Sequence, residues 1–207
     1  MSEIILEEKK STQMSTKVMV RIAILAAISF GLTFLSLKVP LFPSYLSFDL
    51  ADVPAVFAAI VMGPVPAIAI QLIKNLLNFL IQGSTTAGVG ELANFIMGSA
   101  MVIPIGLVFK FNKSTKSFIV GATLSIIFTT ICACILNYFI LIPMYATLYF
   151  GNDVEAVINM SSIIIPFVDT KFEVVLFSTA PFNIVKGIIV FGVSSLLYKF
   201  LKNVNFS

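Results

Sequence analysis

Apolar runs long enough to cross a bilayer recur along this chain, and they leave few folds open. The last run, residues 174–200, carries Lys186 and Lys199 as its only charged side chains. A membrane-spanning helix needs about 20 predominantly apolar residues. Only 11% of the 207 residues are charged and 58% are hydrophobic, whereas a soluble domain is about 25% charged. A transmembrane β-barrel would show alternating segments of about ten residues, and none is present. The expectation is an all-α, polytopic membrane protein forming one transmembrane domain over residues 1–207. The net charge of +3 carries no nucleic-acid signal, because the basic residues flank the apolar runs.

Taken in order, residues 1–16 are polar and form a cytoplasmic N-terminal segment. The first helix is expected over 18–37. Ala23 and Ala27 lie four apart on it, a spacing that lets a second helix approach closely and that internal packing also uses. Residues 38–51 form a loop, because Pro40 and Pro43 forbid a helix. This loop is rich in large apolar side chains, Leu41, Phe42, Tyr45, Leu46 and Phe48, and reads as a lid folded back over the bundle. Asp49 and Asp52 bracket the start of a short second helix, 52–62. A carboxylate there satisfies free N–H groups and the helix dipole, so Asp52 is expected to cap.

Gly63-Pro64-Val65-Pro66 separates that helix from a third, 67–82. Lys74 and Asn78 share a face of the third helix, as structural hydrogen-bonding groups or as ligand contacts. The glycine-rich stretch 83–90 has Val89 where a phosphate-binding loop needs lysine, so nucleotide binding is not expected. A fourth helix runs over 91–109, with Glu91 as dipole partner and with Asn94 and Gly98 on one face. A fifth covers 118–142 and is closed by Pro143. A long link, 144–170, precedes the last helix, which Glu173 begins. Cys132 and Cys134, two apart, point to nearly opposite faces of one helix and form neither a disulfide nor a metal site.

Basic residues fix the orientation. With the N-terminus inside, six crossings put Lys9, Lys10, Lys17, Arg21, Lys110, Lys113, Lys116, Lys199 and Lys202 on the cytoplasmic side. The aromatic lid, the glycine loop and the long link then share the outer face, beneath which Asn94, Asn137, Asn183 and Lys186 converge. A lysine at the centre of a spanning helix costs about 2.5–3.5 kcal/mol on insertion scales, so Lys186 needs a partner or a cavity. Asparagines both donate and accept, which suits a polyol or a heterocyclic edge and does not suit proton relay. Tyr45, Leu46 and Phe48 suit a flat aromatic body, and Ser47 can add a hydroxyl or backbone contact. With no histidine in the chain, metal hydrolysis has no ordinary ligands, and an enzyme is not expected.

Four stretches together resemble the riboflavin-specific S component of energy-coupling factor (ECF) transporters: 41–54, LFPSYLSFDLADVP; 74–78, KNLLN; 135–138, ILNY; and 181–187, PFNIVKG. The resemblance extends over about 21–202. It implies six helices in a bacterial plasma membrane and a vitamin site at the outer face. It implies that Asn137, Asn183 and Lys186 bond the ribityl chain and the polar edge of the ring, and that Tyr45, Leu46 and Ser47 close the lid, with Phe48, Asp49, Asn94 and Gly98 in the same site. Ala23 and Ala27 would dock a shared transmembrane subunit, and two partner ATPases would supply the energy. Riboflavin is then transported ligand, and no cofactor is implied. Another vitamin, such as thiamine or a pterin, and a solitary ion-coupled permease are the competing readings.

Overall fold

The computed structural model describes residues 14–43 and 46–201, and they are overwhelmingly helical. The helices are α1 Thr16–Thr33, α2 Val53–Met62, α3 Pro64–Leu77, α4 Val89–Phe111, α5 Thr115–Leu136, α6 Ile142–Tyr149, α7 Val154–Ser162, α8 Lys171–Val174 and α9 Ala180–Leu201. Three π-helical turns, Asn78–Gln82, Asn137–Leu141 and Val175–Thr179, extend α3, join α5 to α6, and join α8 to α9. Five continuous stretches have the length and apolarity of spans: Thr16–Thr33, Pro64–Gln82, Val89–Phe111, Thr115–Tyr149 and Lys171–Phe200. The chain is therefore a polytopic helical membrane protein. The second helix is different. Its 10 residues reach only about 15 Å, half of a hydrocarbon core about 30 Å thick.

That half-length helix is the centre of the bundle. Val53 through Ile60 are all buried, packed between α1, α3, α4 and α9. A helix that is apolar all round is a core helix, and in this bundle its neighbours supply the spanning length it lacks. α1 turns only one side inward, through Ile22, Ala26 and Ser29. Ala23 and Ala27 are on its exposed side, so internal packing does not account for them.

Several boundaries differ from the sequence expectations, each for a local reason. α3 begins at Pro64, three residues earlier than expected, because proline's fixed φ and missing N–H suit a first helical turn. Pro143 does not close the fifth helix. The π turn before it carries the Ile142 N–H back to the Asn137 carbonyl, and the proline ring falls at this seam, where the regular hydrogen-bond ladder is already interrupted. The helix consequently runs on to Tyr149. The expected long link contains α7, which Asp153 caps by accepting from the Ala156 N–H at 3.2 Å. The last helix starts in a capping box, with Glu173 Oε2 accepting from the Thr170 N–H at 2.9 Å and Thr170 Oγ1 from the Glu173 N–H at 3.3 Å. The glycine loop is knitted by Ser84, whose hydroxyl accepts from the Gly88 N–H and donates to Glu91, both at 2.8 Å. Cys132 and Cys134 are free thiols.

At the end of the bundle away from the lid, Gly106 lets α4 touch the start of α3. A Cβ on Gly106 would stand 2.9 Å from Pro64 N and 3.0 Å from Pro64 Cα. Gly106→Ala gains about 1 kcal/mol of helix propensity but forces backbone apart, at about 1–3 kcal/mol for overpacking. A net loss of thermal stability in detergent is expected, and an unchanged melting temperature would show the contact to be compliant.

Candidate functional site

The loop between α1 and α2 folds back over the bundle. Leu37 and Phe48 exchange backbone hydrogen bonds of 2.7 and 2.8 Å, which closes the loop on itself. Phe42 and Phe48 then pack on Phe182 of α9, at ring separations of 5.3 and 4.5 Å. Beneath this lid is a cavity of about 200 Å³. Leu46, Ser47 and Asp49 of the lid, Asn94 and Gly98 of α4, Asn137 after α5, and Asn183 and Lys186 of α9 all line it. Eight of the ten residues expected at a ligand site thus surround one hollow.

The two exceptions are Phe48, which belongs to the aromatic hinge against Phe182, and Tyr45, which lies outside the described residues. Gly98 has a second role. A Cβ there would stand 2.5 Å from Gln71 Cδ, so the glycine makes room for a side chain that holds Asp52.

The amides carry most of the recognition chemistry. Asn137 Nδ2 donates to the Ala133 carbonyl and Asn183 Nδ2 to the Thr179 carbonyl, each at 2.8 Å. Back-bonding of this kind fixes the side chain against its own helix. It leaves Oδ1 and one N–H of each amide without a protein partner among the described residues. Asn94 has no hydrogen-bond partner among them at all. Three amides with open valences therefore face one small cavity. Both of the back-bonded asparagines adjoin a π turn, a widened helical turn that recurs at functional sites.

Behind the amides lies a chain of charges. Lys186 Nζ is 3.1 Å from Asp49 Oδ2 and 3.2 Å from Asp52 Oδ2. Asp52 Oδ1 is 2.7 Å from Lys74 Nζ and accepts from Gln71 Nε2 at 2.9 Å. The formal charges cancel, two ammoniums against two carboxylates, as buried charges require.

Asp52 is consequently not the helix cap that its position suggests. It makes no side-chain capping bond and has helical dihedrals, φ −83° and ψ −15°. Two lysines at bundle depth need its charge more than α2 needs a cap. Lys74, Asn75 and Asn78 do not line the cavity. Lys74 serves Asp52, Asn75 Nδ2 donates to the Gln71 carbonyl at 2.8 Å, and Asn78 Oδ1 accepts from the Thr33 hydroxyl at 3.1 Å. Lys186 does reach the cavity, but its charge is already shared between the lid and α2.

Thr129, Leu141, Tyr145 and Phe182 are among the wall residues that lay outside the ligand-site expectations, as are Asp52, Gly90, Met97 and Met101. The first two repeat the face of Asn137 at a spacing of eight and four residues, a signal that was available. Tyr145 was hidden by the reading of Pro143 as a helix end. The uncommitted polar groups at the wall are the three amides and the buried Thr129 hydroxyl, all of which can both donate and accept hydrogen bonds.

Residues 17–198 match the family described as the substrate-specific component of ECF transporters. The chain is 37% identical over 195 residues to the riboflavin transporter RibU of Staphylococcus aureus (strain TCH60), covering 94% of this chain and 95% of that protein. It is 34% identical over 191 residues to the riboflavin transporter FmnP of Bacillus subtilis (strain 168), covering 91% and 94%. Both relatives are named as transporters, not enzymes. A solved structure of the S component of a bacterial ECF transporter superposes with a TM-score of 0.70 at 36% identity, covering 92% of this chain and 98% of that one. With the family match spanning nearly the whole chain and the helical bundle shared with a solved member, this protein belongs to the substrate-specific components of ECF transporters.

Proposed function

We propose that the chain is a riboflavin-binding subunit of a bacterial plasma membrane. It captures the vitamin at the outer face and passes it inward together with a shared transmembrane subunit and two ATPases. The observation that carries this reading is the set of three amides with open valences around a lidded cavity. Hydroxyls of a ribityl chain and the imide edge of a flavin offer both donors and acceptors to such groups. The names of the two relatives point to the same ligand. Six crossings with both termini cytoplasmic agree with the distribution of lysine and arginine, α2 and its lid loop together forming the second crossing.

At about 200 Å³ the cavity is smaller than the roughly 300–1,000 Å³ of pockets that enclose drug-sized ligands. Binding therefore requires the lid to rise from Phe182 and close again. The direct test is titration of the purified protein with riboflavin, following flavin fluorescence, beside thiamine and a pterin. Saturable quenching by riboflavin alone is expected; no response to riboflavin overturns the assignment.

The exposed Ala23 and Ala27 on α1 fit close approach of a partner helix. Ala23→Leu is expected to leave riboflavin titration unchanged and to abolish co-purification with the transmembrane partner. Intact assembly of the variant would remove this face from the interface.

A further inference from the structure

A second hollow of about 560 Å³ lies beside the lid, at the same end of the bundle as the small cavity. Lys38 and Ser47 of the lid, Thr85 of the glycine loop, and Tyr145, Tyr149 and Phe150 at the end of α6 are among its walls. Ser47 and Tyr145 line the inner cavity as well, so these two side chains form a common partition. The two spaces differ in the way an entry path requires. The inner one holds the open amides but is too small for a flavin while the lid is down. The outer one falls within the size range of ligand pockets and offers flat rings in place of amides.

Tyr149 and Phe150 are 53% and 37% exposed. Both rings line the hollow, and a planar heterocycle gains from offset stacking on such faces. The Tyr149 hydroxyl donates to the Thr85 carbonyl at 3.2 Å, which holds the ring at the rim. Tyr145 and Tyr149 stand 6.2 Å apart with planes 34° from parallel, so the rings form a short tilted series leading toward the partition.

We propose that this outer hollow is an encounter site, in which a flat heteroaromatic ligand stacks on Tyr149 and Phe150 before it passes the Ser47–Tyr145 partition into the amide-lined cavity. The proposal rests on the flavin reading above and adds a station to it. Binding then has two steps, a fast equilibrium outside and a slower transfer as the lid moves.

The test is stopped-flow mixing of the full-length protein with riboflavin. In the unaltered protein the observed rate should rise and then saturate with riboflavin concentration, the half-saturation point measuring the outer site. Tyr149→Ala should raise that point about three- to tenfold, the loss ordinary for one stacked ring, and leave the equilibrium affinity unchanged, because the final complex lies beyond Tyr149. Tyr149→Phe keeps the ring and loses only the bond to Thr85, so it should behave as the unaltered protein. A rate that stays linear with concentration, an unmoved half-saturation point in Tyr149→Ala, or equal effects of the two variants would each overturn the encounter site while tight binding upholds the flavin reading. Absence of any flavin response overturns both.

Discussion

Asp52→Asn should destabilise the ligand-free protein by about 3–5 kcal/mol, the cost ordinary for removing one partner of a buried ion pair. The substitution keeps the shape of the side chain and deletes only its charge. Lys74 would then sit 1% exposed with no counter-charge, since Asp52 is its only ionic partner among the described residues. Lys186 would keep Asp49. A helix cap predicts a far smaller loss, typically about 1 kcal/mol, so the magnitude separates the two roles. Thermal unfolding followed by circular dichroism reads it directly. Pairing Asp52→Asn with Lys74→Met removes both charges and should recover much of the loss. If the single variant melts like the unaltered protein, the charge chain does not hold the bundle together.

The fate of Asp52 shows where the sequence was legible and where it was not. Periodicity and length disclosed the spanning helices, because one physical demand, burial of backbone polar groups in hydrocarbon, acts on every residue of a span. The amides were legible for the same reason: Asn94, Asn137, Asn183 and Lys186 stand out against an apolar background. Asp52 was misread because a carboxylate before a proline-started helix has a sufficient local explanation. Its partners Lys74 and Lys186 lie 22 and 134 residues away, and a single sequence does not pair them. Pro143 was misread for a related reason. Its local meaning is a helix end, but the π turn at 137–141 accommodates it, and π turns have no sequence signature. The continuation to Tyr149, and with it the Tyr145 wall, followed from that one turn.

The lid illustrates a third kind of limit. Its apolar side chains announced that it covers something, and Leu46 and Ser47 do line the cavity. Phe48 looked equivalent to them. In strand-like backbone successive side chains alternate in direction, and the paired stretch around Leu37 and Phe48 turns Phe48 to Phe182 while its neighbours Ser47 and Asp49 reach the cavity.

Asn183→Ala is expected to weaken riboflavin binding by about 1–3 kcal/mol, or about ten- to a hundredfold, the effect of deleting one hydrogen-bonding partner in an enclosed site. The ligand-free protein should keep its stability, because among the described residues the amide gives the fold only one bond, to its own helix, and the freed space joins an existing cavity. Lys186→Ala should weaken binding by a similar factor but carry a different signature. Among the described residues it removes the only ion pair of Asp49 and one of the two of Asp52, so the lid loses its ionic tie to α9, keeping only the aromatic contact with Phe182, and the melting temperature falls before any ligand is added. The two substitutions thereby separate a group that meets the vitamin from one that also holds the cover. Fluorescence titration and ligand-free melting, run on both variants, give the two readouts. Unchanged titration curves in both would remove the amide-lined cavity as the binding site. A ligand-free melting temperature that falls equally in both would mean that Asn183 is structural and that the vitamin's partners on α9 lie elsewhere.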